Sequence, residues 1–419
     1  MQMSVANKYT YEHVCELTRE SLFPSETKIV GLLEDCDWNT LYLQMKEQAI
    51  GALPQRWLQD NTLPDDALRT EWLKYCVKNQ ARWLRIMVKQ DQMLKLLEKH
   101  ALDCVIIKGS AAAIAYPSPS LRAVGDVDIL VKRSDFDRAK TILEENGYEL
   151  VQEHVHSHHH YCYKKDGVYF ELHKRLGIVQ EKDEKLLNLF ENGIGQRQYT
   201  HIDEFTFPML PTDLNGLVLM FHINQHLRSG LGLRHIIDWM MYLNQNDNFD
   251  RLLPIFRETG MEKLAITVTL LCQKYLGLGE LTMKGEKALQ VTTDDALKGD
   301  VLSWADYPVE ELMAYIFEKG DFGRKSGEEG KIASIFLLTK NPVLLIKRLQ
   351  KGGMYRWKSA KKYKILRPFA WVYQIGRIMR ELSNNQISPA KLAEQHKTGI
   401  EQRDLIYKLG LETDSRIEC

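Results

Sequence analysis

Asp126 and Asp128 are two residues apart, a spacing that lets two carboxylates bind one metal ion. They lie in the segment DVDILV, and its pattern predicts a β-strand over residues 126–131. Side chains at positions i and i+2 of a strand share one face, so the carboxylates are expected to be close together. Such mutually repelling acids favour a hard divalent cation, Mg²⁺ or Mn²⁺. Two solvated acids would give the same short pattern, so the neighbouring residues decide between these interpretations.

Groups suited to phosphate binding precede the two aspartates. The β-branched run 104–107 predicts a buried strand, and Lys108-Gly109-Ser110 joins it to a helix. The free backbone N–H groups of such a junction and the Ser110 hydroxyl are expected to bind an anionic phosphate. Lys108 and Arg122 add positive charge nearby in the sequence. This stretch therefore predicts a phosphate-binding site.

A third acid follows in a later strand-like run, residues 168–174. Glu171 alternates there with Phe170 and Leu172, so its carboxylate is expected on the opposite face of the strand. That face would be turned toward a site or toward solvent. Glu171 is therefore the candidate for completing the carboxylate group.

The run before Glu171 contains five of the thirteen histidines, in HVHSHHH. Asp166-Gly167 predicts a hairpin turn between the two runs, and a two-residue turn would pair His160 with His173. Both imidazoles would then share the face of Glu171. Three interpretations stay open: they line a substrate pocket beside the carboxylates, they are solvated strand residues, or they bind an additional metal.

These features together resemble the nucleotidyltransferase superfamily with the polymerase-beta-like fold. More narrowly, they resemble a poorly characterised bacterial family of nucleotidyltransferases. The matching segments are Lys108-Gly109-Ser110, Tyr116-Pro117, Leu121-Arg122, Gly125 to Val131, and Glu171-Leu172-His173. A second block, His222, His226, Leu233-Arg234 and Asp238, is similar to that family's helical His…His…Leu-Arg…Asp pattern. The resemblance spans about residues 100–245.

The resemblance implies transfer of a nucleoside monophosphate from ATP or another nucleoside triphosphate (NTP). Asp126, Asp128 and Glu171 would be catalytic metal ligands, and Glu171 would also orient or deprotonate the acceptor hydroxyl. The residues implied to bind nucleotide are Lys108, Gly109, Ser110, Arg122, His160, His173 and Arg234. His222, His226 and Asp238 would line the cleft or form a buried polar clasp between helices.

The acceptor is left open as a small molecule, a sugar or a protein side chain. Two other functions also remain: a catalytically inactive nucleotide-binding scaffold of a biosynthetic complex, and an RNA-directed nucleotidyltransferase. The latter rests only on the basic C-terminal segment described below.

The elements that would position these residues predict an α+β fold. Residues 1–100 have helical periodicity, with an uninterrupted helix from 65 to 99. Residues 101–205 are expected to form a small α/β domain with a mixed sheet. Residues 206–320 would be a helical domain completing the cleft, and residues 321–419 a basic, mostly helical region.

Two helices are expected inside the α/β domain. The small-residue stretch after Gly109 predicts a helix that stops before Pro117. Ser134 is expected to be the N-cap of a second helix, which ends at Gly147.

Charge is segregated along the chain although the formal net charge is zero, with 56 basic and 56 acidic residues. Residues 331–380 contain thirteen Lys or Arg, seven aromatic residues and no acid, so the rest of the chain has a balance of −13. Three interpretations are open for this basic segment: docking on the acidic body, binding to an anionic membrane surface or membrane-linked partner, or binding to nucleic acid.

Length and composition limit the class of protein. A chain of 419 residues with 44% hydrophobic residues predicts a globular fold with a substantial core. It has no run of about 18 apolar residues for a membrane span, and the N-terminal segment lacks the apolar stretch of a signal peptide. Seven scattered cysteines without a CxxC pair predict reduced thiols and a cytoplasmic protein.

Overall fold

The structure is a computed structural model. It describes residues 5–23, 36–151, 159–279, 306–321 and, with gaps at 348, 351, 355–356 and 385–388, residues 346–411. The described helices include α1 (Val5–Leu22), α2 (Trp38–Glu47), α3 (Gln55–Asp60), α4 (Asp66–Lys99), α5 (Gly109–Ala113), α6 (Phe136–Glu145), α7 (Glu184–Gly195), α8 (Thr212–His226), α9 (Leu233–Gln245), α10 (Phe249–Glu258), α11 (Glu262–Leu276), α12 (Val309–Lys319), α13 (Lys358–Lys362), α14 (Ala370–Asn384) and α15 (Pro389–Lys408). The strands are β1 (Cys104–Ile107), β2 (Asp126–Val131), β3 (Glu149–Leu150), β4 (His160–Lys165), β5 (Val168–His173), β6 (Gln198–Ile202) and β7 (Phe205–Met209).

Within the described residues, the strands form a seven-stranded mixed sheet in the order β3-β4-β5-β2-β1-β7-β6. β1 is antiparallel to β2 and parallel to β7, and β2 is parallel to β5. The predicted α+β fold class is confirmed. Because β7 pairs with β1, the sheet continues to Met209.

The long helix predicted between residues 65 and 99 is confirmed by α4. Its N-cap is Asp65, whose carboxylate accepts hydrogen bonds from the backbone N–H groups of Ala67 at 2.8 Å and Leu68 at 3.2 Å. These bonds satisfy N–H groups that have no partner inside the helix. The C-terminal half of α4 packs against the sheet through residues such as Met87 and Leu97.

The two faces of the sheet belong to different cores. Ile106, Val127 and Phe170 lie in the core formed with α4 and α6. Val105, Ile107 and Leu130 lie in the core that includes α8 and α9. Side chains alternate along a strand, so Asp126 and Asp128 share the face of Leu130. The alternation therefore turns both carboxylates toward the helical residues 212–245.

The predicted N-cap at Ser134 is wrong. Ser134 lies inside a 3₁₀ turn, Arg133–Asp135, and α6 begins only at Phe136. This turn is held by Glu191, which accepts from the Arg133 backbone N–H at 3.0 Å and from its Nε at 2.8 Å. A contact with a residue so distant in sequence is invisible to local capping rules.

The described part of the basic segment includes a 3₁₀ turn, Lys364–Phe369, followed by α14. Several large apolar side chains are exposed there: Tyr363, Ile365, Phe369, Val372 and Met379. Residues 322–345, which include the start of the basic segment, lie outside the described residues.

The described part of the chain contains no helix with both the length and the apolar character needed to cross a bilayer. Six cysteines in this part are free thiols, and five of the six are buried.

Candidate active site

The three acids predicted as metal ligands lie on the sheet face that turns toward α8 and α9. Asp128 is the β-ladder partner of Glu171, and Asp126 precedes Asp128 by two residues on the same face. The side chain of Asp128 is 6% exposed and that of Glu171 is 25% exposed. The structure therefore brings the three carboxylates together at a partly open edge of the core.

Lys108 holds a rare backbone conformation directly after β1. Its φ is +56° and its ψ is −141°, a region that costs a non-glycine residue about 1–3 kcal/mol. Its Nζ donates to Asp128 Oδ1 at 2.8 Å. Burial alone would lower the pKa of Lys108, but the charges of Asp128 and Glu171 raise it, so the ammonium group is retained. The strained turn thus places a permanent cation against the carboxylates.

His173 bridges two of the acids. Its Nε2 lies 2.9 Å from Asp128 Oδ1 and 3.2 Å from Glu171 Oε2. Burial alone would lower the pKa of His173, but the two carboxylates raise it. Burial would raise the pKa values of both acids; Lys108 and His173 hold that of Asp128 far below its ordinary value, and His173 lowers that of Glu171. Both acids are therefore ionised at neutral pH.

Asp126 behaves differently from its two neighbours. Burial and the charges of Asp128 and Glu171 raise the pKa of Asp126 to about 7, although Lys108 and Arg234 oppose the shift. A carboxylate whose pKa is near 7 beside two ionised acids indicates that the nearby positive charges do not fully balance the three acids. A cation placed among these groups would relieve it.

The predicted hairpin register is confirmed, since His160 pairs with His173 across β4 and β5. The Nε2 of His160 lies 3.6 Å from Glu171 Oε1. Burial lowers the pKa of His160 to about 4, although Glu171 acts against this, so the ring is neutral at pH 7. His160 and His173 thus share the Glu171 face, one neutral and the other with its charged form favoured.

The Gly109-Ser110 junction differs from the predicted phosphate site. The Ser110 hydroxyl is buried and donates to Gln90 Oε1 of α4 at 2.7 Å. The helix that follows, α5, has only five residues, Gly109–Ala113. The hydroxyl therefore joins two elements of the fold, and the short helix offers little dipole to a phosphate.

Arg122 and Asp238 form a buried ion pair. The Nε and Nη2 of Arg122 donate to the two oxygens of Asp238 at 2.7 and 2.6 Å, and the Tyr116 hydroxyl also donates to Asp238 at 2.7 Å. Both charged side chains are 2% exposed. The predicted phosphate contact of Arg122 is thus replaced here by a bond to α9. This arrangement fits the expectation that Asp238 forms a buried polar clasp, but its partner is Arg122 and not a histidine.

His222, His226 and Arg234 lie where α8 meets the start of α9. The Nε2 atoms of His222 and His226 are 2.9 Å apart, and both rings pack against His235. Arg234 Nη2 lies 3.5 Å from Asp321 Oδ1, and its charge also acts on Asp126. Arg234 is therefore near the carboxylates, as a phosphate ligand would need to be.

A comparison with protein-family sequence models matches residues 34–277, more than half of the chain, to a family described as uncharacterised nucleotidyltransferase. The match includes every site residue that was predicted from the sequence. Asp321, which contacts Arg234, lies outside it. A comparison with curated proteins gives no match.

The chain belongs to the uncharacterised nucleotidyltransferase family.

The family match agrees with the resemblance inferred from the sequence motifs, and it supports a nucleotidyltransferase activity. It begins in the helical N-terminal part and ends after α11, so this family includes the helices around the sheet as well as the sheet itself. The basic segment lies outside the match.

The sequence did not indicate a role for three residues of this nucleotidyltransferase site. Gln90 binds Ser110 from α4, Tyr116 binds Asp238, and His235 completes a histidine cluster. Tyr116 stands within the motif that carried the resemblance, and His235 directly follows Arg234. The hydrogen bond between Gln90 and Ser110 could not be predicted, because no local sequence pattern relates a glutamine in a long helix to a serine twenty residues later.

Proposed function

We propose that the chain is a Mg²⁺- or Mn²⁺-dependent enzyme that transfers a nucleoside monophosphate from an NTP to an acceptor hydroxyl. The observation that carries the proposal is the trio Asp126, Asp128 and Glu171 on one sheet face, with the pKa of Asp126 raised to about 7 by burial and by its like-charged neighbours. Shared carboxylates of this kind suit phosphoryl chemistry, in which oxygen atoms gain and lose charge on both sides of phosphorus.

The donor set fits a hard divalent cation. All three groups are carboxylates, the ligands that Mg²⁺ prefers, and their mutual repulsion gives a cation a net attraction. When bound, Mg²⁺ would neutralise charge on the carboxylates and on the triphosphate. Asp126, Asp128 and Glu171 are the residues that would hold it.

The cationic side chains would bind the triphosphate. The Lys108 ammonium group, which now donates to Asp128 Oδ1, would donate to a phosphate oxygen of the bound triphosphate. Arg234 is the second candidate, since its charge already acts on Asp126. His173 Nδ1 is buried and has no hydrogen-bond partner within the described residues, so it is available to a polar group of a substrate.

The transfer itself breaks one bond and forms one. The acceptor oxygen attacks the α-phosphorus, the bond from that phosphorus to the bridging oxygen breaks, and pyrophosphate leaves. Glu171 would orient the acceptor hydroxyl and receive its proton. Arg122 and Asp238 are proposed as positioning residues, because their bidentate pair fixes the turn before β2 against α9.

The experiment is a pyrophosphate-release assay with Mg²⁺, labelled NTPs and pools of small-molecule, sugar, protein and RNA acceptors. We expect the wild type to release pyrophosphate and label one pool, and Asp128→Asn to do neither. Asp137→Asn, an exposed acid on α6, is the matched control and should retain wild-type activity. Metal-dependent nucleotide binding without pyrophosphate release in any pool would contradict the enzyme and favour an inactive nucleotide-binding scaffold.

For the basic segment 331–380 we propose an anionic membrane surface as the partner. Its described part has no acidic residue, and several apolar side chains are exposed there, among them Ile365 and Met379. Bulky aliphatic groups insert among lipid chains, whereas nucleic acid mainly recruits cations and stacking aromatics. Trp357 and Tyr373 already stack on each other, with ring centroids 5.0 Å apart.

A further inference from the structure

A cluster of three histidines lies between α8 and α9 and includes none of the three carboxylates. His222 and His226 are one helical turn apart on α8, and His235 lies in the first turn of α9. One ring nitrogen from each residue lies within 4.8 Å of the other two. The side chain of His235 is fully buried, and His226 is 6% exposed as a residue. Two helices therefore present three imidazoles to one point.

A backbone contact fixes the tautomer of His235. Its Nδ1 lies 3.2 Å from the carbonyl oxygen of Gly232 and 3.4 Å from Asp321 Oδ1. Both oxygens are acceptors, so Nδ1 carries the proton and Nε2 keeps its lone pair. Metal-binding histidines are commonly oriented in this way, by a carbonyl or carboxylate on the other ring nitrogen.

The histidines are neutral, as metal ligands must be. Burial is the main cause: it lowers the pKa of His226 to about 3 and those of His222 and His235 well below the ordinary range. Tetrahedral coordination with Zn–N bonds of about 2.0–2.1 Å would place the nitrogens about 3.3 Å apart. The 2.9 Å between the Nε2 atoms of His222 and His226 needs only a small expansion to reach that spacing.

We propose that His222, His226 and His235 form a binding site for a divalent transition metal of the zinc class. Three imidazoles favour such an ion over Mg²⁺, which selects oxygen ligands. Arg234 Nη2 lies 3.4 Å from His235 Nε2, a long contact that an entering metal would displace. Three protein ligands leave a fourth position for water or substrate, as in catalytic zinc sites.

The site borders the carboxylates but does not depend on them. The charge of Lys108 acts on both His222 and His226, so the histidine site lies near the lysine that contacts Asp128. The histidine site requires neither Mg²⁺ nor nucleotide, so it can be present whether or not the proposed transfer reaction takes place. A second group, His160, Glu171 and His173, also has metal-ligand spacing and must be distinguished by experiment.

The test uses the full-length protein after treatment with a chelator, with Co²⁺ as a visible-absorption probe and Zn²⁺ in competition with a chromogenic chelator. We expect one tetrahedral Co²⁺ per chain, displaced by Zn²⁺. His235→Ala and His222→Ala should weaken Zn²⁺ binding by more than about 100-fold, since even changes in the groups behind metal ligands cost about 10- to 100-fold. His201→Ala, an exposed histidine on β6, should bind as the wild type does.

Two further variants keep the result interpretable. His226→Cys retains a zinc ligand, so it should bind Co²⁺ and add a thiolate charge-transfer band. His160→Ala should leave the binding unchanged. The proposal is overturned if the wild type binds no Co²⁺, if His235→Ala and His222→Ala both retain the tetrahedral spectrum, or if His160→Ala abolishes it.

Discussion

Asp126 is the residue whose titration is expected to control metal binding. Its pKa of about 7 lies far above the ordinary value, so the folded protein retains a proton there between about pH 4 and pH 7. The stability from this group is therefore present at low pH and is lost as the pH rises through 7. A metal must displace the proton, so Mg²⁺ affinity should fall about tenfold for each pH unit below 7.

Asp126→Asn tests this directly by thermal denaturation without and with Mg²⁺. Without metal at pH 8, we expect the variant to unfold at a higher temperature than the wild type, because one of three repelling charges is gone. The difference should shrink as the pH falls from 8 toward 4, because folded wild type then keeps Asp126 protonated and has the same charge there as the variant. Mg²⁺ should stabilise the wild type at pH 8 and leave the variant unchanged; equal stabilisation of both would contradict the role of Asp126.

The backbone at Lys108 gives a second prediction at this scale. Lys108→Gly and Lys108→Ala both remove the ammonium group, but only glycine adopts φ +56°, ψ −141° without strain. The glycine variant should therefore be more stable than the alanine variant, by about 1–2 kcal/mol in urea unfolding. Both should bind NTP more weakly than the wild type. An alanine variant as stable as the glycine variant would mean that the turn is unstrained.

The relative positions of single residues were predictable where a sequence motif or strand alternation connects them. The Asp126–Asp128 spacing and the hairpin register around Glu171 follow from strand alternation, and both agree with the ladder. The strained conformation of Lys108 and the Gln90 bond to Ser110 depend on contacts across the fold, so no local pattern could indicate them.

At the scale of elements, the Arg122–Asp238 pair connects the turn Pro119–Leu121 to α9. Both side chains are 2% exposed, so removing one charge leaves the other buried without its partner. Asp238→Asn should therefore lower the free energy of unfolding by about 3–5 kcal/mol, as measured in urea. The double variant Arg122→Met, Asp238→Leu should recover part of that loss.

A more exposed pair on the same sheet domain provides the control. Arg133 and Glu191 have side chains 34% and 28% exposed, so Glu191→Gln should cost at most about 1 kcal/mol. If Asp238→Asn were as mild as Glu191→Gln, the clasp would not hold α9 in place.

Element prediction succeeded where the signal is local and failed where partners are distant. The stretch from Asp65 to Lys99, which has no glycine or proline and runs from acids to bases, predicted α4, and Asp166-Gly167 predicted the β4–β5 turn. The pairing of β1 with β7 joins residues about a hundred positions apart, and nothing in either strand specifies the other. The same limit explains Ser134, whose turn is held by Glu191.

On the scale of the whole molecule, zero net charge conceals an acidic body and a basic segment. The proposed membrane partner predicts that the protein co-sediments with vesicles containing anionic lipid and not with neutral vesicles, and that salt releases it. Ile365→Glu with Met379→Glu should weaken this binding strongly, because both side chains are exposed and apolar. RNA binding without vesicle binding would contradict the proposal and favour nucleic acid.

We propose that Asp126, Asp128 and Glu171 hold the metal ion that positions an NTP. The most direct measurement is a calorimetric titration with a non-hydrolysable NTP, with and without Mg²⁺, on the wild type, Asp126→Ala and the exposed control Asp137→Asn. We predict Mg²⁺-dependent binding by the wild type and the control, and a loss of at least about 100-fold in Asp126→Ala. Binding by Asp126→Ala that equals the wild type in the presence of Mg²⁺ would contradict the claim.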